Sequence, residues 1–185
     1  MPQEPQFYIY VVVSRTDTVL GRLIRRSLHV EYNHCSLALD GSLDTIYSFG
    51  RKELRNVFRA GFVTEGRADG FFGVHRRSDI SVVRLPVTPA QLARLREAIA
   101  AFHLHRALYK YSLLGLWYCY LGIPKKRENR YFCSQFVAEV LSEAGLSLFD
   151  KPETLVRPHD FLALPGGTVV YRGEIGRYAA AGAQI

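Results

Sequence analysis

Residues 130–141 read RYFCSQFVAEVL and place Cys133 where an apolar run with helical periodicity begins. The first backbone N–H groups of a helix lack intrahelical acceptors, and the helix dipole is positive at that end. Both features favour the thiolate form of Cys133 over the thiol. The segment therefore predicts a nucleophilic cysteine at a helix start. The alternative role for Cys133 is that of a small, buried apolar side chain.

A second segment, residues 33–40, reads NHCSLALD and begins a predicted strand with His34. A general base must lie within hydrogen-bonding reach of the thiol, and a strand can hold an imidazole rigidly. We therefore predict a Cys133–His34 pair. Cys35 fits the role of nucleophile less well, because successive strand residues project to opposite faces. Cys119 lies in an apolar helix, where burial would keep its thiol protonated and inert.

A third group usually orients the imidazole of such a pair. The Asp and Gly residues of segment 40–44 predict a turn, so that strand 45–49 forms a hairpin with the His34 strand. Matching parity on neighbouring strands favours Ser48, whereas a one-residue bulge would favour Tyr47. Ser48 is equally suited to satisfying a local backbone group.

The backbone N–H of Cys133 or Ser134 is the predicted oxyanion donor, because helix-start amides stabilise developing negative charge. Tyr32, just before the histidine strand, and Gln135, in the helix, are candidate side-chain donors. Both residues also suit a structural role, and the sequence leaves that choice open.

The hydrophobic patterns predict the element order β-α-β-β-loop-β-α-α-α-β. Strands are expected at residues 7–13, 34–39, 45–49, 80–85 and 168–172, and helices at 16–28, 88–102, 108–123 and 132–144. Segment 108–123 has apolar side chains around its whole circumference, so it must be buried or bind something apolar. Residues 50–78 are interpreted as a long decorated loop with one strand near 61–65, and residues 178–185 as a soft tail. We expect a single domain over residues 1–185.

The composition is that of a globular chain with a basic surface. Its 185 residues are 48% hydrophobic, and 24 Lys and Arg against 17 Asp and Glu give a net charge of +7. A chain of this length buries roughly 70% of its unfolded surface. The positive charge attracts anions such as acidic lipid headgroups. Nucleic acid is the less favoured partner, because no zinc-finger or Arg-Gly pattern is present.

Cysteine usage and apolar segments bear on cofactors and location. The three cysteines show neither disulfide-framework nor zinc-site spacing, which favours a reducing compartment and no metal or other cofactor. Residues 1–13 carry no basic region or small-residue cleavage site, and the apolar stretch 111–123 is too short to span a bilayer. We therefore expect a cytoplasmic protein without a transmembrane segment. The sequence leaves the oligomeric state open.

The order of the segments, a histidine strand followed far downstream by a nucleophile helix, resembles the circularly permuted papain-like group. These are the YiiX-like relatives of NlpC-type cysteine amidases, whereas papain itself has the reverse order. The blocks that carry the likeness are HCSLALD at 34–40, YSFGR at 47–51 and YFCSQFV at 131–137, which look like a bacterial branch of this group. The resemblance implies an α+β fold in which an antiparallel sheet or small barrel packs against helices that include the nucleophile helix.

By that similarity Cys133 is the nucleophile and His34 the base, and Ser48 stands where the group usually has a strongly polar residue such as His, Glu or Asn. A serine can orient an imidazole but brings no negative charge to an imidazolium. The implied reaction is hydrolysis or acyl transfer through a thioester intermediate, on a small-molecule, peptide or lipid-like substrate with an amide or acyl ester. The alternative function is a catalytically silent papain-like domain that binds an anionic partner or lipid through its basic surface.

Overall fold

The computed structural model describes residues 7–16, 26, 31–53 and 56–179, with the backbone alone at 51–53 and 56–59. Its strands are β1 (Phe7–Ser14), β2 (His34–Ala38), β3 (Ile46–Glu53), β4 (Asn56–Glu65), β5 (Asp79–Val87), β6 (Lys110–Tyr111), β7 (Arg130–Tyr131) and β8 (Thr168–Glu174). Its helices are α1 (Gly70–Val74), α2 (Pro89–Leu104), α3 (Leu113–Tyr120) and α4 (Cys133–Glu143), and 3-10 helices span Glu153–Leu155, Pro158–Ala163 and Ile175–Arg177. The predicted helix at residues 16–28 lies almost entirely outside the described residues.

The architecture is α+β, as predicted, with antiparallel strand pairs in a sheet that packs against helices. The sheet is open and not a closed barrel, so the small-barrel alternative is wrong. The chain divides into two compact units. The helix-rich unit comprises residues 1–7, 47–63 and 87–157, and the strand-rich unit comprises residues 8–46, 64–86 and 158–185.

In the strand-rich unit the strand order is β2-β1-β5-β8. The β-branched and aromatic run Phe7–Ser14 forms the predicted strand β1, because such side chains suit a pleated, buried surface. β1 pairs antiparallel with β2 in a register that sets His34 opposite Ser14. β5 pairs antiparallel with β8, with a register shift between Val82 and Val83.

These strands share a hydrophobic core with α1 and with Ile175 and Tyr178. Its buried side chains are Tyr10, Val12, Ala38, Leu43, Ile46, Phe72, Ile80, Val82, Ile175 and Tyr178. The Tyr178 hydroxyl also donates to the Gly41 carbonyl oxygen at 2.9 Å. Tyr178 is therefore part of the core, and the prediction that the soft tail begins at this residue is wrong. Residues 180–185 lie outside the described part of the chain.

The helices of the helix-rich unit carry the boundary signals that the sequence predicts. Thr88 caps α2, since its hydroxyl accepts from the Gln91 N–H at 3.2 Å and the Gln91 side chain accepts from the Thr88 N–H at 2.9 Å. Pro89 occupies the first helical turn, where its missing N–H costs nothing. Beyond the end of α4, Gly145 adopts a φ of +82°, a conformation that favours glycine.

An aromatic cluster joins β3 and β4 to α2 and α4 within this unit. Its members are Phe49, Phe62, Phe102, Tyr131 and Phe136. The centroid of the Phe136 ring lies 5.2 Å from that of Phe49 and 5.0 Å from that of Phe102. It lies 5.6 Å from the centroid of Phe62, in an edge-to-face arrangement that aromatic pairs favour. The cluster thus packs α4 against β3 and β4.

The prediction of a long loop over residues 50–78 is wrong. β3 continues to Glu53, β4 spans Asn56–Glu65 and α1 spans Gly70–Val74. Only the end of β4 was expected as a strand. Neighbouring-strand pairing and packing of Phe62 into the aromatic cluster stabilise β4, although its sequence lacks a sustained alternation.

The predicted helix over residues 108–123 is shorter in the structure. Lys110–Tyr111 form β6, which pairs in parallel with β7, and the helix α3 spans only Leu113–Tyr120. Ser112 marks the helix start, because its Oγ accepts the Gly115 N–H at 3.0 Å and caps the first turn. Neither α3 nor any other helix in the described part of the chain combines the length and apolar character needed to cross a membrane.

Candidate functional site

Cys133 is the first residue of α4, as predicted, and is 2% exposed. The residue before it, Phe132, is the N-cap and has an extended backbone. The Phe136 N–H donates to the Phe132 carbonyl oxygen at 3.0 Å, and this bond begins the helical ladder. The backbone N–H groups of residues 133–135 precede that ladder. They therefore lie at the positive end of the helix dipole, together with the sulfur.

The side chain of Ser134 anchors this helix start. Its Oγ donates to the Val156 carbonyl oxygen at 2.7 Å, and Cys119 Sγ lies 3.9 Å from the same oxygen. Cys119 is buried, in agreement with its predicted place in the core. The Ser134 hydroxyl already donates to Val156. The oxyanion donor predicted at Ser134 is therefore its backbone N–H and not its side chain.

Tyr120 interacts electrostatically with Cys133 and was not singled out from the sequence. Burial raises the pKa of the Tyr120 hydroxyl well above its usual value, the charges of Cys133 and Cys119 raise it further, and Arg157 opposes them. The Arg157 guanidinium carbon lies 5.4 Å from the centroid of the Tyr120 ring. Its Nη2 donates to the carbonyl oxygens of Cys119 and Tyr120 at 3.3 and 3.4 Å. Tyr120 therefore keeps its proton at neutral pH and is a candidate donor toward the sulfur or a bound oxyanion.

The buried side chain of Gln135 is hydrogen-bonded to Glu139 on the same helix. The Glu139 carboxylate accepts from Gln135 Nε2 at 2.9 Å and from Lys126 Nζ at 3.0 Å. Burial raises the pKa of Tyr131, and the charge of Glu139 and a hydrogen bond to it raise that pKa further. The network gives Gln135 a structural partner, and its predicted role as an oxyanion donor stays a prediction.

His34 is the first residue of β2, as predicted, and is half-buried. Asn33 fixes the chain just before it, because its Nδ2 donates to the Thr16 carbonyl oxygen at 3.2 Å and its Oδ1 accepts from the Thr16 N–H at 2.8 Å. The Asn33 N–H also donates to the Ser14 carbonyl oxygen at 3.2 Å. These three bonds hold the start of β2 to the end of β1, so His34 stands on a rigid part of the strand-rich unit.

Glu65, at the end of β4, is a charged group near His34 that the sequence did not reveal. Burial raises the pKa of the Glu65 carboxyl above its usual value, and the charge of His34 lowers it. The Phe71 N–H donates to Glu65 Oε2 at 3.3 Å and holds the carboxyl group in place. Glu65 can therefore stabilise an imidazolium at His34, which a serine hydroxyl cannot do by charge. The only sequence signal was the strand expected to end at this residue.

Of the remaining predicted residues, Tyr32 and Ser48 are buried and Tyr47 is half-buried. Burial raises the pKa of Tyr32, and the charge of Glu31 and a hydrogen bond to it act in the same direction. Tyr47 stacks on Phe62 with ring centroids 6.4 Å apart. Ser48 follows Tyr47 on β3 and is buried, and successive side chains on a strand project to opposite faces.

The predicted site residues fall in both units. Tyr47, Ser48, Cys133, Ser134 and Gln135 belong to the helix-rich unit, whereas Tyr32 and His34 belong to the strand-rich unit. His34 belongs to a different unit from Cys133 and Ser48. The pairing of His34 with Cys133 therefore stays a prediction, and so does the role of Ser48 in orienting the imidazole. Within the described ranges, no group of three or more His, Cys, Asp or Glu side chains could hold a metal ion.

Comparison of the chain with protein-family models, with curated proteins and with solved structures finds no match. The likeness to permuted papain-like proteins therefore depends on the three sequence blocks alone.

Proposed function

We propose that this protein is a cysteine-dependent hydrolase or acyltransferase of permuted papain-like fold, with Cys133 as its nucleophile. The observation that carries the proposal is the position of Cys133 as the first residue of α4, where the N–H groups of the first turn precede the helical ladder. The electrostatic interaction between Cys133 and Tyr120 supports it. A helix start favours the thiolate, and a nearby phenol can donate to it. The cysteine usage favours a reducing compartment, and we place the activity in the cytoplasm.

In this proposal His34 takes the thiol proton, and the Cys133 sulfur attacks the carbonyl carbon of an amide, peptide or acyl ester. The backbone N–H groups at the start of α4 stabilise the tetrahedral oxyanion, with the Tyr120 hydroxyl as an added donor. His34 then returns the proton to the leaving amine or alcohol as the thioester forms. Water releases the acid, or an amine or alcohol accepts the acyl group, and the thiol is restored.

In this scheme Glu65 supplies the negative charge that Ser48 lacks. The imidazolium that forms during proton transfer needs a negative charge nearby, and the interaction between Glu65 and His34 is of the favourable sign. Ser48 is retained as the predicted group that orients the ring. Two different side chains thus support the imidazole, one by charge and one by hydrogen bonding.

Mass spectrometry after exposure to a panel of acyl-donor probes tests the proposal. The panel comprises activated amides, esters and thioesters, and we expect a single acyl adduct on Cys133 that is absent from a Cys133→Ser variant. Cys35 and Cys119 are internal controls, because their burial matches that of Cys133. Cys35 is 0% exposed, Cys119 1% and Cys133 2%. Equal, sluggish modification of all three thiols would contradict the proposal, because burial alone would then set their reactivity.

Tyr120→Phe is expected to slow acylation of Cys133 by about tenfold to a hundredfold, because one oxyanion donor is lost while the ring remains. The rate is measured by mass spectrometry under single-turnover conditions with the best probe of the panel. Tyr118→Phe is the matched control on the same helix, and its rate should stay within about twofold of the parent, since surface changes away from a site have small effects. An unchanged rate in Tyr120→Phe would remove Tyr120 from the scheme.

A further inference from the structure

The helix α3 exposes a continuous apolar face. Leu113 is 54% exposed, Leu114 45%, Trp117 62% and Leu121, which follows the helix, 58%. Residues spaced by three or four positions lie on one face of a helix, so these side chains form a single stripe. The opposite side of α3 is apolar too, and it is buried against the 3-10 helix at Glu153–Leu155.

Such a face costs free energy in water, since each exposed leucine or tryptophan leaves apolar surface unburied. Scattered apolar residues are common on protein surfaces, whereas a contiguous patch marks an interaction site. We call this patch the α3 apolar face and define it by Leu113, Leu114, Trp117 and Leu121. Ile123, 42% exposed, extends it beyond the helix end.

Basic residues flank the α3 apolar face at both ends. Segment 104–130 contains six Lys and Arg residues and one acidic residue, so it carries +5 of the net charge of +7 of the whole chain. Beyond the helix, the Lys125 ammonium lies 5.4 Å from the centroid of the Tyr118 ring on α3. Before the helix, β6 and β7 pair Lys110 with Arg130, and both side chains are exposed.

We propose that the α3 apolar face docks onto the surface of an anionic lipid bilayer, with α3 lying in the interface and the flanking basic residues among the headgroups. Interfacial helices combine an apolar face with Lys and Arg at its border, and tryptophan favours the headgroup level. A second copy of this chain fits the face less well, because it would bring two basic borders together. The proposal goes beyond acyl transfer and does not depend on a reactive Cys133.

The single tryptophan of the chain makes the proposal directly measurable, because Trp117 lies on the proposed docking face. We expect its fluorescence to shift to shorter wavelength when vesicles of phosphatidylcholine mixed with phosphatidylserine are added to the full-length protein. The same vesicles should carry the protein upward in a flotation gradient. Vesicles of phosphatidylcholine alone should bind at least about tenfold more weakly, since each basic residue near an anionic surface strengthens binding about fivefold.

Two double variants separate the apolar and the electrostatic contributions to vesicle binding. Both keep Trp117 as the fluorescent reporter. Leu114→Gln with Leu121→Gln should weaken vesicle binding about tenfold or more, because less apolar surface enters the interface. Lys110→Gln with Lys125→Gln should weaken it about twentyfold on anionic vesicles. Val74→Gln with Arg77→Gln is the matched control: it removes an exposed apolar side chain and an exposed charge from the strand-rich unit and should leave binding unchanged.

Three results would overturn the proposal. One is a Trp117 spectrum that stays the same with both kinds of vesicle. Another is equal binding of the parent protein to neutral and anionic vesicles. The third is a dimer without lipid that the Leu114→Gln/Leu121→Gln variant dissociates, since the face would then be a self-association surface. Unchanged thermal unfolding of each variant shows that a loss of binding is a surface effect.

Discussion

Replacing His34 with alanine is expected to slow alkylation of Cys133 by iodoacetamide about a hundredfold at near-neutral pH. The alkylated species is the thiolate, so the rate follows the fraction of Cys133 that is ionised. In the proposed pair, the imidazole takes the thiol proton and its positive charge then stabilises the anion. Without the imidazole, only the helix start and Tyr120 favour the thiolate. Rates are read from the mass of the Cys133 peptide over time.

Two further variants make this measurement specific. His105→Ala removes an exposed imidazole at the end of α2, and we expect it to leave the alkylation rate of Cys133 unchanged. Glu65→Gln keeps the imidazole of His34 but removes the carboxylate near it, so an intermediate loss of about tenfold is expected. If His34→Ala alkylates at the parent rate, His34 does not act on Cys133, and the enzymatic proposal loses its base.

The elements that could be predicted are those with strong local signals. The β-branched run of β1 and the Thr88-Pro89 start of α2 determine their own conformation, because side-chain shape and capping act within a few residues. The same holds for Cys133, since the aromatic and apolar residues that follow it have helical spacing and Gly145 ends the run. Local rules therefore predicted the helix start at Cys133 correctly.

The elements that were missed depend on residues far away in the sequence. β4 lacks alternation and is held by pairing with a neighbouring strand and by Phe62, whose partners lie on α2 and α4. The helix predicted from residue 108 begins only after Ser112, because Lys110 and Tyr111 pair with β7 before α3 begins. Propensity alone cannot reveal such contacts, since tertiary packing overrides it.

The same reason explains why the sequence does not reveal the roles proposed for Glu65 and Tyr120. Glu65 becomes relevant only when the end of β4 comes into electrostatic range of His34, 31 positions earlier in the sequence. Tyr120 looked like one of many aromatic residues in an apolar segment, and its relation to Cys133 depends on how α3 packs. Charge interactions of this kind follow from the fold, whereas the position of Cys133 at a helix start could be predicted from its immediate neighbours.

Phe136→Ala is expected to lower the free energy of unfolding by about 3–5 kcal/mol, because it deletes a fully buried ring and leaves a cavity. Phe136 is 0% exposed. Its ring contacts those of Phe49 on β3, Phe62 on β4 and Phe102 on α2. It also lies one turn after Cys133 on α4. The aromatic cluster therefore both stabilises the helix-rich unit and fixes the position of Cys133.

Urea unfolding followed by circular dichroism measures this loss, with Phe7→Ala as the matched control. Phe7 is 43% exposed, so its removal should cost less than about 1 kcal/mol. Phe136→Leu should cost less than Phe136→Ala, because it leaves a smaller cavity while still losing the ring contacts. If Phe136→Ala and Phe7→Ala lower the free energy of unfolding by the same amount, the ring of Phe136 contributes no more to stability than an exposed ring. The position of Cys133 would then have to be fixed by the backbone and by the Ser134–Val156 hydrogen bond alone.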